Sequence, residues 1–175
     1  MKNTRRIKKF LGSNKREVRF FYLFILFFLL GLIFYHFSSS YTTPFLVYKL
    51  HAEMCSKIIN ILTPDEKTFA NNSTVGSGNF TITIDRGCDG KESLLLIIAA
   101  FCAFPMGIKQ KIYGTLLGIL IMYFSNLVRI VLLYYSIKYK PEIFEVMHVY
   151  LGQIFIIFIG ILFFVIWTEK IARIN

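Results

Sequence analysis

No glycine-rich turn in this chain has the form that cradles a phosphate, and no serine stands in a Gly-x-Ser-x-Gly setting. Internal repeats and low-complexity tracts are also missing. Histidine and cysteine number three each, and no second one stands at ligand spacing near Cys88 or His148, which argues against a metal centre. Formal charge is sparse at 17% of 175 residues, whereas 55% are hydrophobic and 19 are phenylalanine, too apolar for an ordinary soluble domain.

The apolar residues are gathered in blocks. Phe20 to Phe37 carries no formal charge and has about the length a helix needs to cross roughly 30 Å of hydrocarbon. Further blocks run from about 93 to 108, 112 to 137 and 149 to 167, so four membrane-spanning helices are expected. The first has eight Lys or Arg residues before it, as a secretory signal would. Its apolar core is longer than a signal h-region and no A-x-A cleavage site follows, so an uncleaved anchor is expected.

Charge then orients the spans. With the N-terminus in the cytoplasm, the cytoplasmic segments hold twelve basic and two acidic residues, and the remainder holds eight of each. The entire net charge of +10 falls on one side, as the positive-inside rule requires. The basic tail is accordingly an orienting, lipid-contacting segment, and no nucleic acid is expected as a partner.

Between the first two spans, Phe45, Leu46, Tyr48, Leu50, Met54, Ile58 and Leu62 recur at roughly helical spacing, which predicts an amphipathic helix along the membrane surface. After Pro64, a turn at Gly76-Ser77-Gly78 precedes Phe80, Ile82 and Ile84 in alternation with threonines, which predicts a β-hairpin. The N-x-[ST] sequons at Asn71, Asn72 and Asn79 fall in this turn-rich stretch and read as turn chemistry. The expected organisation is a basic cytoplasmic tail (1–19), a first span (20–38), an extracytoplasmic helix and hairpin (41–87) and a three-helix membrane core (88–175). The fold class is an all-α integral membrane protein.

This layout carries three reactive side chains to the outer boundary. Cys88 enters the second span, Arg129 lies where the third reaches its useful length, and His148 enters the fourth. Cys102, in mid-span, reads as a small packing residue. Cys88 stands between Gly87 and Gly90 at a helix start, with Asp89 as the expected N-cap and Glu92 completing a capping-box-like pair. There the positive end of the helix dipole favours thiolate. Arg129 lies in an uncharged stretch with Asn126 a turn earlier on its face, a placement that is costly unless it faces protein or a wet cavity. Gly152, one turn after His148, leaves room for the close approach of a helix or a substrate backbone. A thiolate, an imidazole and a guanidinium together suit nucleophilic acyl transfer.

The motifs "GCDG" (87–90), "NLVRI" (126–130) and "HVYLG" (148–152) resemble, in order and spacing, the exosortase/archaeosortase family of prokaryotic membrane proteins. The resemblance implies a cysteine transpeptidase or protease, without a cofactor, acting at the outer face of the cytoplasmic membrane. Its partner would be an exported protein with a C-terminal sorting signal that includes a transmembrane segment. By that resemblance Cys88 is the nucleophile, Arg129 stabilises the oxyanion or positions the substrate, and His148 is the general acid/base. Asn126, Gly90, Gly152 and Asp89 support them. Many members have serine or asparagine after the cysteine. Asp89 here either caps the helix or faces the sulfur and raises its pKa. Two rivals stand beside this reading: a non-enzymatic membrane scaffold, and a structural Cys55–Cys88 disulfide.

Overall fold

The computed structural model describes residues 2–78, 80–84 and 88–174, with side chains between 15 and 171. The sequon Asn79, Gly87 of the cysteine motif, and the side chains of the basic residues 2–9 and of Arg173 lie outside this description.

Helix α1 (Lys2–Thr43), a π-helical segment (Pro44–Glu53) and α2 (Met54–Leu62) follow one another without a break. The predicted separation of a span from a surface helix at the serine run does not occur. Ser38, Ser39 and Thr42 turn their hydroxyls back onto the carbonyls of Tyr35, His36 and Ser38 at 3.4, 2.9 and 3.1 Å, so these polar residues stay inside the helix. Pro44 has no N–H to donate, and the wider π bonding starts at that residue.

Where a hairpin is expected, three strands form an antiparallel meander in the order β1 (Phe69–Asn71), β2 (Thr74–Gly76), β3 (Thr81–Thr83). The additional β1–β2 turn passes through Asn72 at φ 52°, a conformation asparagine tolerates. The alternation in β3 is as expected: Ile82 and Ile84 are buried and Thr81 and Thr83 exposed. The two isoleucines and Val75 pack with Ala52, Cys55 and Ile59 of the helical segment and with Leu127, Ile130 and Tyr134 of α4 (Ile108–Tyr139).

Glu66 ties this layer to α4. It accepts the Tyr134 hydroxyl proton at 2.8 Å and forms an ion pair with Lys138. Removing one partner of a buried hydrogen bond leaves the other unsatisfied. Glu66→Ala is therefore expected to lower the unfolding free energy by about 1–3 kcal/mol, measured by thermal unfolding in detergent, with Glu66→Gln retaining part of it.

Helix α3 (Lys91–Ala103) has only 13 residues and stops before Phe104-Pro105. At 1.5 Å per residue it covers about 20 Å, short of the 30 Å of a full span. Among the described residues three helical stretches are long and apolar enough to cross a membrane: Lys15–Leu62, Ile108–Tyr139 and Pro141–Ile171. The expected second span differs because Pro105 ends the helix that the apolar pattern alone would continue. Helix α3 packs against α1, α4 and α6 (Gly152–Ile174), so it lies among the other helices. The chain is mostly helical and suited to a multi-pass membrane protein. The turn expected at Pro141 is a 3-10 turn (Pro141–Ile143), continued by α5 (Phe144–Val146), a π turn (Met147–Leu151) and α6.

Candidate active site

The site assembles where the sheet, the start of α3, the C-terminal half of α4 and the π turn before α6 meet. Cys88, 4% exposed, directs its Sγ to Nδ1 of His148 at 3.3 Å and to Nε2 at 3.9 Å. The sequence separation of sixty positions is bridged by the return of α4. Both side chains line one cavity of about 160 Å³, walled otherwise by residues 81–84 and by apolar side chains that include Ile130 and Phe144. The Phe144 ring lies 5.6 Å from the imidazole, one turn earlier in the same helical run.

His148 sits within the π turn, not at the first residue of a span. Single π turns inside helical runs shift the facing of one residue relative to the next turn, and they recur at functional sites. Arg129, 4% exposed, donates from Nη2 to the His148 carbonyl at 3.1 Å. It does so by crossing Gly152: a Cβ there would stand 2.5 Å from Arg129 Nε and 3.2 Å from its Cδ. The room expected at Gly152 is thus occupied by the arginine stem.

Asn126 lies 1% exposed and donates from Nδ2 to the Cys88 carbonyl at 3.0 Å. Gly90 adopts φ +71°, a region where side chains are strained, and a Cβ at that position would meet Asn126 Nδ2 at 2.8 Å. Glycine at 90 is therefore what lets the asparagine reach the backbone of the cysteine.

The capping arrangement differs from the expected one. Gly90 is the N-cap of α3, without a side-chain cap hydrogen bond. Asp89 accepts the Lys91 N–H at 3.4 Å and the Lys91 ammonium at 3.1 Å. Glu92 pairs outward with the same ammonium at 3.6 Å and closes no capping box. The physical reason is the left-handed turn at Gly90, which places the carboxylate beside Lys91. The hydrogen bond and charge of Asp89, with Glu92, offset the cost of placing the Lys91 ammonium at this helix entrance. Asp89 is turned to a large cavity of about 620 Å³ that is also lined by Tyr35, Ser39 and Lys91.

No disulfide joins the cysteines. Cys55 is buried, its sulfur 4.0 Å from the Leu127 carbonyl, and Cys102 is exposed at the end of α3, unlike the packing residue expected there. Two features escape a reading of the sequence. Lys91 neutralises Asp89, a pairing signalled only by the clustered charges at the helix entrance. His51 is 1% exposed, bonded through Nδ1 to the Leu46 carbonyl at 2.6 Å and set 5.4 Å from the Tyr123 ring. It is buried because the π segment turns it inward. No group of three potential metal ligands occurs among the described residues.

No curated protein and no solved structure matches the chain. The family model for transmembrane exosortase matches residues 9–165, which take in α3, α4 and the π turn with every side chain of the site. By that match over most of its length, the chain belongs to the transmembrane exosortase family.

Proposed function

We propose that the protein is a membrane-embedded cysteine transpeptidase or protease that cleaves the C-terminal sorting signal of exported proteins at the outer face of the prokaryotic cytoplasmic membrane. Family membership supports a membrane transpeptidase role in general. The observation that carries the finer reading is the 3.3 Å approach of Cys88 Sγ to His148 Nδ1 inside a cavity.

The imidazole takes the thiol proton, and the N-terminal end of α3 favours the resulting thiolate. The sulfur attacks the scissile carbonyl, giving a tetrahedral oxyanion. As the C–N bond breaks, His148 returns the proton to the leaving amine, and the substrate remains as a thioester on Cys88. Water or an amine then attacks the thioester, gives up a proton to His148, and releases the thiol. Arg129 acts through its hydrogen bond to the His148 carbonyl, which fixes the turn bearing the imidazole.

An outward site agrees with the placement of charge. Arg16, Arg19 and Lys111 line one cavity with Cys102 and Phe104, at the end of α3 opposite Cys88. With the cationic end in the cytoplasm, both termini are cytoplasmic and the thiol faces outward. Helix α3, followed by Phe104 to Gly107, serves as the fourth and shortest pass, covered by α1, α4 and α6.

The pairing is tested by alkylation of the full-length protein in lipid nanodiscs with iodoacetamide, Cys88 being followed by mass spectrometry. At pH 7, Cys88 is expected to react at least about tenfold faster than in His148→Ala, because the base raises the thiolate fraction. Equal rates in the two proteins would remove the reading.

A further inference from the structure

Strand β3 lies at the end of the sheet order, and among the described residues no strand flanks its outer side. Its register determines which backbone groups face that side. Ile84 N–H donates to Ser73 O at 2.7 Å and Ser77 N–H to Phe80 O at 3.0 Å, while Val75 stands opposite Ile82 between them. Hydrogen-bonded and non-hydrogen-bonded pairs alternate along an antiparallel ladder. Phe80, Ile82 and Ile84 therefore turn their N–H and C=O toward β2, and Thr81 and Thr83 turn theirs away from it. The 3.4 Å approach of the Thr74 and Thr83 hydroxyls fits a non-hydrogen-bonded pair, where side chains come closest.

This edge is part of the Cys88–His148 cavity. Residues Thr81 to Ile84 form one wall, with Ile130 and Phe144 facing them and the thiol and imidazole in the same space. Natural sheets usually guard an open edge with charge or proline. Here β3 has neither, and its residues share a cavity with the reacting pair.

We propose that the outer edge of β3 is the substrate-docking rail: an extended peptide adds as a further strand, exchanging backbone hydrogen bonds with Thr81 and Thr83. This proposal rests on the acyl-transfer reading above. Successive residues of an extended peptide rise about 3.3 Å, so Thr81 and Thr83 engage peptide positions two apart. Alternate side chains point into the apolar wall, and a cavity of about 160 Å³ admits a small or medium apolar side chain. Backbone pairing supplies affinity with little demand on sequence, and the pocket for alternate side chains supplies selectivity. The peptide carbonyl emerging from the rail is delivered to Cys88 Sγ.

The probe is acetyl-trivaline chloromethyl ketone, compared with iodoacetamide on the full-length protein in nanodiscs. The Cys88 thiolate displaces chloride from the methylene carbon of the first and iodide from the second, a C–S bond forming in each. In the unaltered protein, the tripeptide reagent is expected to gain at least about tenfold over its rate with free cysteine, relative to iodoacetamide. A matched depsipeptide, in which an ester oxygen replaces one amide N–H, is expected to lose most of that gain. Thr83→Pro deletes an outward N–H without touching the β2 ladder, so it should also abolish the gain, each rate being taken relative to iodoacetamide on the same variant. Thr83→Val keeps the N–H and should keep the gain. Equal gains for peptide and depsipeptide, or no gain in the unaltered protein, overturn the rail while leaving the iodoacetamide reactivity of Cys88 intact. Loss of the His148-dependent iodoacetamide reactivity instead overturns the acyl-transfer reading, and the rail with it. Should Thr83→Pro disturb the fold and change the iodoacetamide rate, the depsipeptide on unaltered protein decides.

Discussion

Cys88→Ala is expected to stop cleavage of exported proteins that carry a C-terminal transmembrane tail, leaving them at full length on gels of the membrane fraction. The loss should be about 10⁴-fold or more, since removing the nucleophile from a nucleophile–base pair leaves only binding and electrostatics. The substitution is mild for the fold. It deletes one sulfur atom from the border of a cavity, at a cost of about 1 kcal/mol. Cys88→Ser should be nearly as inactive, because a hydroxyl next to an imidazole 3.3 Å away is far less acidic than a thiol. A scaffold would behave differently: its partners would stay assembled and its tails would be cut by whatever cuts them already. Uncut substrate together with unchanged thermal unfolding therefore separates catalysis from architecture, and normal processing in Cys88→Ala would refute the proposed mechanism.

Gly152→Ala should act on the same reaction from a distance. The added methyl would lie 2.5 Å from Arg129 Nε and 3.2 Å from Cδ, so both the head and the stem of the arginine must move. Movement breaks the 3.1 Å bond to the His148 carbonyl and frees the π turn that aims the imidazole. A displacement of about 1 Å in such a group costs on the order of 10²-fold in rate. The diagnostic is non-additivity. In an Arg129→Ala background only the 2.9 Å approach to the Met147 carbonyl remains, and Gly152→Ala should then cost no more than about tenfold, a coupling of about 1.4 kcal/mol in a double-mutant cycle on cleavage rate. Additive losses would mean that glycine at 152 serves another contact.

Parts of this arrangement are readable from residues alone, and the boundary has a physical basis. The Thr81–Ile84 alternation reports a half-buried strand because the period of two is unaffected by context, and the isoleucines are indeed the buried set. Cys88, Asn126, Arg129, His148 and Gly152 stand out because polar or small residues at apolar helix ends are unusual. What local pattern misjudges is continuity. Ser38 to Ser40 look like a break, yet the stretch stays helical, with Ser38 and Ser39 bonded back to the preceding carbonyls. Residues 93–108 look like one continuous helix, yet α3 stops at Ala103, before Pro105. Asp89 looks like an N-cap, yet φ at Gly90 turns it to Lys91. These outcomes depend on backbone dihedrals and on partners chosen in three dimensions, so single-residue propensities do not contain them.

The thirteen residues of α3 also bear on how deep the chemistry takes place. If, as proposed, Arg16, Arg19 and Lys111 mark the cytoplasmic side, a helix of about 20 Å that ends among them would set the thiol within the outer leaflet, roughly 10 Å below the far side of a 30 Å hydrocarbon layer. A peptide bond drawn to that depth leaves behind the water that solvated its amide groups, and hydrocarbon offers no replacement. The outward N–H and C=O groups of Thr81 and Thr83 would then stand in for solvent as well as for a partner strand. Placing the cut inside the lipid layer would make desolvation of the scissile bond a condition of entry, one that a protein lacking an adjoining transmembrane tail cannot meet.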